Sequence, residues 1–146
     1  EPTEYSEFRF GNHQSIGETM AERFEVYKCG ICGNTVTMAI VGGGQLVCCN
    51  QPMDLQEEKT ADQGLEKHVP VIEASGDRMK IKVGDTAHPM EADHYIQWIE
   101  TISENGDAKM FLSPGDPPER EFHRPKRLVK VRAFCNLHGL WKQENV

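Results

Sequence analysis

The chain has 146 residues, of which 38% are hydrophobic and 27% are charged, and its mean hydropathy is −0.58. This composition is typical of a soluble globular protein, with either one domain or two small ones. No apolar run approaches the ~20 residues that a membrane helix needs. The net charge of −7 at pH 7 and the pI of about 5.3 argue against nucleic acid as a partner. An anionic substrate would have to be attracted by a local positive patch.

The cysteines number five, and an odd number is unfavourable for a disulfide framework. Cys29-Gly-Ile-Cys32 and the adjacent pair Cys48-Cys49 are better suited to binding a metal as thiolates in a reducing compartment. The sequence also has no secretory h-region. We therefore expect a cytoplasmic protein.

The N-terminal part of the chain predicts an extension followed by a small metal-bound domain. Residues 1–19 are polar and acidic, and we expect them to form the extension. Residues 20–57 contain short β-forming runs, including 35–41, and a turn at 42–44. A domain this small cannot bury enough apolar surface to be stable alone, and usually needs a metal or oligomerisation. The charged run 56–62 is interpreted as a linker.

Residues 58–146 predict an all-β second domain. Its strand signals recur at short intervals, at 69–73, 78–83, 94–102, 109–112, 121–123 and 127–134. The run 95–102 also fits a helical period, but its β-branched and aromatic residues favour a strand. In the last strand, alternation places Val129, Val131, Ala133 and Cys135 on one face and Lys130 and Arg132 on the other. Closely spaced strands without long helical runs predict a β-sandwich.

The four N-terminal cysteines predict one tetrathiolate metal site. A tight turn between Cys29 and Cys32 can present both sulfurs to one point. Cys48 and Cys49 would point to opposite faces of a regular strand, so both can bind only if the backbone bends there. The ligand type permits iron or zinc. The spacing alone gives them equal weight, and zinc would make the site purely structural.

A second ligand set lies further along the chain and comprises His68, His88, His94, Cys135 and His138. Any one of these histidines alone is more often a surface or core residue than a ligand. Two of the spacings are short, however, because one pair brackets a five-residue loop and the Cys-Asn-Leu-His motif brackets two residues. His13 and His123 have no such partner and are left out. Five donors leave a sixth position open on an octahedral metal. One thiolate among imidazoles favours iron, because it donates electron density through the metal.

These motifs, taken together, resemble desulfoferrodoxin, the two-iron form of superoxide reductase. The resemblance runs from about Met20 to near the C-terminus, in order and at similar intervals. The matching segments are Glu-Arg-Phe-Glu-Val-Tyr-Lys-Cys29-Gly-Ile-Cys32-Gly-Asn, Leu-Val-Cys48-Cys49-Asn-Gln-Pro-Met, Glu66-Lys67-His68-Val-Pro-Val-Ile, Ala-His88-Pro-Met-Glu-Ala-Asp-His94-Tyr-Ile and Cys135-Asn-Leu-His138-Gly-Leu-Trp.

The resemblance implies a desulforedoxin-like domain followed by an immunoglobulin-like β-sandwich, usually within a homodimer. It implies two iron ions per chain. The first, Fe(Cys)4, would be held by Cys29, Cys32, Cys48 and Cys49. The second, Fe(His)4(Cys), would have His68, His88, His94 and His138 as equatorial ligands and Cys135 as the axial ligand. Glu66 would ligate ferric iron from a mobile loop, and Lys67 would attract superoxide. Lys67 would also supply the cation that an acidic protein needs to collect an anion.

The implied function is superoxide reductase, the one-electron reduction of superoxide to hydrogen peroxide without release of dioxygen. The first iron would be an electron store or a structural site, and a rubredoxin-like protein would be the electron donor. Three alternatives remain open at this point. They are a superoxide dismutase, a non-enzymatic electron carrier whose two irons are both saturated, and a zinc-stabilised adaptor.

Overall fold

The structure is a computed structural model of the chain and describes residues 22–60 and 68–144. These residues form twelve β-strands and no helix, which confirms the all-β prediction. No helix within these two ranges is therefore long and apolar enough to cross a membrane. The described residues divide into two compact units, one ending at Gln56 and the other beginning at Glu57.

The first unit is built from very short strands. Its strands are β1 (Val26–Lys28), β2 (Thr35–Thr37), β3 (Val47–Cys48), β4 (Gln51–Pro52) and β5 (Asp54–Leu55). The first, second and fifth strands form an antiparallel sheet in the order β2-β1-β5, and β3 pairs with β4. The strand that begins at Thr35 ends earlier than the β-forming run suggested.

The apolar core of this unit is small, as its size predicted. Of its described hydrophobic residues, Val26 and Cys29 are buried. Ile31, Ile40 and Val47 are more than half exposed. So little buried surface cannot offset the chain entropy lost on folding. The stability of this unit therefore requires a further contribution, which a metal held by its four cysteines would supply.

The second unit is a β-sandwich of two antiparallel sheets. Its strands are β6 (Pro70–Ser75), β7 (Arg78–Val83), β8 (Ile96–Ser103), β9 (Gly106–Phe111), β10 (Glu119–His123), β11 (Leu128–Cys135) and β12 (Gly139–Gln143). One sheet has the order β10-β7-β6 and the other β12-β11-β8-β9. A single core cluster joins them, with Ile81 from the first sheet and Ile99 and Val131 from the second. The run that also fitted a helix forms most of β8, one of the two inner strands of its sheet.

Two sequence expectations in this unit need correction. Val129 was expected to share a face with Val131, Ala133 and Cys135, which are buried in the core. It is instead 42% exposed, because the register between β11 and β8 shifts between Leu128 and Lys130. Residues 57–60 were interpreted as part of a linker but belong to the second unit. There the backbone of Lys59 forms a parallel β-bridge with that of Trp141. Residues 57–60 are held there because Glu58 forms ion pairs with cationic side chains of β11 and β12. Residues 61 and 62 lie outside the described ranges.

Candidate metal centres

The four cysteines of the first unit converge on one point, as predicted. The sulfurs of Cys29, Cys32, Cys48 and Cys49 all lie within 4.8 Å of one another. Backbone N–H groups of Ile31 and Cys32 each donate to the Cys29 sulfur over 3.4 Å. These hydrogen bonds lower the pKa of the Cys29 thiol to about 6. The turn therefore favours a thiolate at Cys29.

The adjacent pair of cysteines shows the predicted backbone bend. Cys49 has φ of 54° and Asn50 has φ of 64°, both in the left-handed region. This conformation turns the Cys49 sulfur towards the same point as that of Cys48, which lies 3.5 Å from the Cys32 sulfur. Side-chain hydrogen bonds with Cys32 and Cys29 raise the pKa of Cys49 to about 12. Four thiols so close together cannot all ionise without a cation among them, so this donor set fits a metal ion.

In the second unit, four imidazole rings form the corners of a square. Neighbouring ring centroids are 4.6 Å apart for His68 and His88, 4.7 Å for His88 and His94, 5.1 Å for His94 and His138, and 4.9 Å for His138 and His68. The opposite pair His68 and His94 is 6.5 Å apart. Each neighbouring pair is steeply inclined, at 67° to 78°. Three of these rings have a nitrogen in one group of ligand atoms that all lie within 4.8 Å of one another, namely those of His68, His88 and His94.

Unpartnered nitrogens show that this square fits a metal. The Nδ1 atom of His88 donates to the carbonyl of Pro89 over 2.7 Å, which leaves its Nε2 as an acceptor. That Nε2 and the Nε2 of His94 are buried without a hydrogen-bond partner among the described residues. An orphaned buried polar atom costs about 1–3 kcal/mol, which a metal ion would remove. Burial lowers the pKa of His88 to about 4, so its ring is neutral and ready to ligate.

Cys135 and His138 complete the set from either end of one tight turn. Cys135 ends strand β11, is fully buried, and belongs to the same group of ligand atoms as His68, His88 and His94. The Nδ1 atom of His138 lies 3.8 Å from the Cys135 sulfur and 3.1 Å from the Nε2 of His68. The His138 residue itself is exposed, so this corner of the square lies at the surface.

Asn136 fastens this turn to the loop that carries His94. Its side-chain oxygen accepts from the N–H of Tyr95 over 2.9 Å, and its Nδ2 donates to the carbonyl of Asp93 over 3.1 Å. The backbone of Glu91 and His94 pairs in both directions, at 2.9 and 3.0 Å. These bonds hold both ligand loops in one geometry before any metal binds.

The structure brings together nine of the eleven predicted site residues, in two groups. Glu66 and Lys67 lie outside the described residues, as does His13. His123, which was left out of the site, is exposed on β10. Sequence reasoning did not identify the residues that contact the ligands. Trp141 stacks on His68, and the Lys59 ammonium donates to the His138 carbonyl. Trp141 ends one of the matching segments, but neither residue was assigned a role from the sequence.

Comparison with known families agrees with these two donor sets. The family model described as "Desulfoferrodoxin" matches residues 60–144. The model described as "Desulfoferrodoxin, N-terminal domain" matches residues 21–56. The first match alone covers more than half of the chain. The chain belongs to the desulfoferrodoxin family. The resemblance found in the sequence is thereby confirmed.

Individual relatives of this desulfoferrodoxin-family chain support the same conclusion. A desulfoferrodoxin of Syntrophotalea carbinolica is 54% identical over 125 residues, covering 86% of this chain and 99% of the relative. A superoxide reductase of Pyrococcus abyssi is 35% identical over 105 residues, covering 59% of this chain and 91% of the relative. The crystal structure of the superoxide reductase from Treponema pallidum matches with a TM-score of 0.70 at 28% identity, covering 85% of this chain and all of that chain.

The family and the geometry together identify the cofactors. The described residues contain a group of four cysteines in the first unit, and a group of four histidines and one cysteine in the second. These are the two iron sites of a desulfoferrodoxin, Fe(Cys)4 and Fe(His)4(Cys). This answers the choice between iron and zinc, which the cysteine spacing alone left open.

Proposed function

We propose that this chain is a superoxide reductase, which reduces superoxide to hydrogen peroxide at the iron of the Fe(His)4(Cys) site. The observation that carries the proposal is the square of four imidazoles together with the buried Cys135 thiol. His68, His88, His94 and His138 would be the equatorial ligands and Cys135 the axial ligand. Relatives named superoxide reductase support the same activity.

The reaction adds one electron and two protons to superoxide and gives one molecule of hydrogen peroxide. Iron bound at this site supplies the electron. The four histidines and Cys135 would hold the iron and would leave one coordination position for the substrate. With iron bound, the Cys135 thiolate would donate electron density to the metal, which would favour release of the product. Solvent would supply the protons.

Two residues next to His68 in the sequence complete this proposal. Lys67 would place a positive charge beside the site of a protein whose net charge is −7. Glu66 would supply a hard carboxylate oxygen that suits ferric iron and closes the sixth position between turnovers. Both roles come from the family resemblance.

The remaining expectations concern the molecule around the site. We propose residues 1–19 as an N-terminal extension, 20–57 as the Fe(Cys)4 domain and 58–146 as the catalytic domain. The Fe(Cys)4 site would store an electron or stabilise the first domain. The protein would act in the cytoplasm as a homodimer, in the detoxification of superoxide, with a rubredoxin-like electron donor and without nucleic-acid or membrane partners.

A direct test follows reoxidation of the reduced, two-iron protein by superoxide. We expect rapid reoxidation of the iron held by the four histidines and Cys135, and binding of azide or cyanide at that same iron. An electron carrier with saturated irons would bind neither ligand, and a zinc adaptor would be colourless. A reduced protein that superoxide leaves unchanged would contradict the proposal.

A further inference from the structure

Two residues outside the ligand set contact two of the four histidine ligands, one at its ring and the other at its backbone carbonyl. The indole of Trp141 on β12 stacks on the His68 ring, with centroids 4.6 Å apart and planes inclined by 16°. Trp141 is 6% exposed. The ammonium group of Lys59 lies 5.1 Å from the centroid of the Trp141 ring. The same ammonium donates to the His138 carbonyl over 2.9 Å.

The backbone of Lys59 is fixed to the same strand. Its N–H donates to the carbonyl of Leu140 and its carbonyl accepts from the N–H of Lys142, both over 2.9 Å. Glu58 adds ion pairs to Lys130 and Arg132 at 2.7 and 2.9 Å. Lys59 is therefore held at both its backbone and its side chain, although the residue as a whole is exposed.

We propose that Lys59 and Trp141 are positioning residues of the catalytic iron, which fix the His138 and His68 ligands and set the reduction potential of the site. Trp141 prevents the His68 ring from rotating, because rotation would break a nearly parallel stack. Lys59 fixes the peptide that follows His138, next to Gly139, whose φ of 85° lies in the left-handed region. The proposal deepens the proposed function and rests on it.

Residues that contact the metal ligands, without binding the metal themselves, affect its affinity and its reduction potential. Groups behind the ligands fix ring orientation and ligand basicity, and their loss typically lowers metal affinity by about 10–100-fold. The Lys59 charge also acts on the iron directly, since a nearby cation favours the reduced and less positive state. Loss of that charge should therefore lower the reduction potential.

The unused indole N–H provides a way to test the stack. The Nε1 atom of Trp141 is buried without a hydrogen-bond partner among the described residues, so the N–H destabilises the fold rather than supporting it. Phenylalanine would retain an aromatic face for His68 and remove this N–H. Leucine would fill part of the space and remove the stack. Trp141→Phe and Trp141→Leu thus separate stacking from packing.

The experiment compares Lys59→Met, Lys59→Arg, Trp141→Phe and Trp141→Leu with wild-type protein that carries both irons. The readouts are the reduction potential and thiolate-to-iron absorption band of the Fe(His)4(Cys) site, and the loss of its iron to a chelator. Lys126→Met is the matched control, since Lys126 is an exposed lysine between β10 and β11. The Fe(Cys)4 spectrum of each variant is the internal reference.

We expect Lys59→Met to lower the potential and Trp141→Leu to shift the absorption band. Each should lower iron affinity by about 10–100-fold. Lys59→Arg and Trp141→Phe should largely restore wild-type values, and the Fe(Cys)4 spectrum should not change. A potential, band and iron affinity that stay at wild-type values in both disruptive variants would overturn the proposal, as would an equal effect of Lys126→Met.

The test separates this inference from the proposed function. If wild-type protein holds both irons but does not consume superoxide, the proposed function fails while the potential, band and affinity still decide the positioning roles. If wild-type protein is active and the variants are indistinguishable from it, the positioning roles alone fail. A wild-type protein that binds no iron at the second site overturns both.

Discussion

At the scale of single residues, the fold sets the protonation state of the ligands before a metal binds. The Cys29 thiol has its pKa lowered to about 6 by backbone N–H groups, which stabilise the thiolate. The His88 imidazole has its pKa lowered to about 4 because its charged form would be desolvated. Metals bind the deprotonated thiol and the neutral imidazole. These two shifts therefore favour the form that ligates, whereas the raised pKa of Cys49 keeps that thiol protonated until a cation binds.

The His88 shift predicts how the catalytic site responds to acid. Because the pKa is lowered on folding, the folded state favours the neutral ring. This contribution is complete above the unfolded pKa of about 6.5 and is lost as the pH falls towards about 4. We expect the His88 ring of the metal-free protein to remain neutral below pH 6 and to gain a proton as the pH approaches 4, which an NMR titration of its ring measures. A midpoint near 6.5 would contradict this expectation.

Cys135 predicts a change that is confined to one iron. Replacing it with serine removes the thiolate of the Fe(His)4(Cys) site and leaves the four imidazoles in place. We expect Cys135→Ser to abolish the thiolate-to-iron band of that site and most superoxide reduction, while the Fe(Cys)4 spectrum is retained. Stopped-flow absorbance with a superoxide source measures both. Near-normal activity in a variant that holds both irons would show that the axial thiolate is dispensable.

At the scale of elements, alternation of apolar and polar residues made some strands predictable, whereas other strands were too short to be predicted. The strand β7 (Arg78–Val83) has the bounds expected from the sequence, and β11 ends one residue later than expected, at Cys135. The strands β4, β5 and β12 span two, two and five residues, too short for a period to show. The shift that exposes Val129 depends on pairing with β8, which the sequence of one strand cannot reveal.

The site itself was more predictable than its supports. Cys-x-x-Cys and Cys-x-x-His spacings identify ligands because both side chains must reach one metal. Residues such as Lys59 and Trp141 act through contacts that exist only after β11 and β12 pair. No spacing in the sequence encodes such contacts. Sequence reasoning could therefore predict which donor residues lie together, but not which residues contact them.

Residues 57–60 were interpreted as part of a linker but belong to the second unit. The ion pairs of Glu58 allow their contribution to stability to be tested. Burial raises the pKa of Glu58. The hydrogen bonds and positive charges of Lys130 and Arg132 lower the pKa by a larger amount, so the net shift is downwards. Its contribution to stability is present above the unfolded pKa and lost as the pH falls through the folded pKa. We expect Glu58→Gln to lower the free energy of unfolding by about 1–3 kcal/mol at pH 7.

Urea unfolding as a function of pH measures this effect, and the curves of wild type and Glu58→Gln should converge in acid. Glu104→Gln is the matched control, because the ion pair between Glu104 and Arg127 is exposed. Its effect should stay within about 0.5 kcal/mol. Equal effects of the two substitutions would mean that the Glu58 ion pairs contribute no more than an exposed pair.

At the scale of the whole molecule, the overall charge opposes the proposed substrate. A net charge of −7 repels superoxide, so capture depends on local cations. We expect Lys67→Ala to slow capture by roughly tenfold at low salt and to flatten its dependence on ionic strength. Pulse radiolysis across a salt series measures both. An unchanged rate at low salt would refute the attraction of superoxide by Lys67.

The two units predict a division between electron storage and catalysis. Cys32→Ser removes one ligand of the Fe(Cys)4 site and none of the Fe(His)4(Cys) site. We expect it to unload the first iron, to lower the thermal stability of the first unit and to leave superoxide reduction largely intact. Metal analysis and activity with an artificial reductant measure this. A folded but inactive variant would mean that the first iron is more than an electron store.

The measurement that tests the central claim most directly is the stoichiometry of products. Reduced two-iron protein is mixed anaerobically with a limiting amount of superoxide, and peroxide and dioxygen are quantified together. A reductase gives one peroxide for each superoxide consumed and releases no dioxygen. Release of dioxygen with half as much peroxide would identify a dismutase and contradict the account.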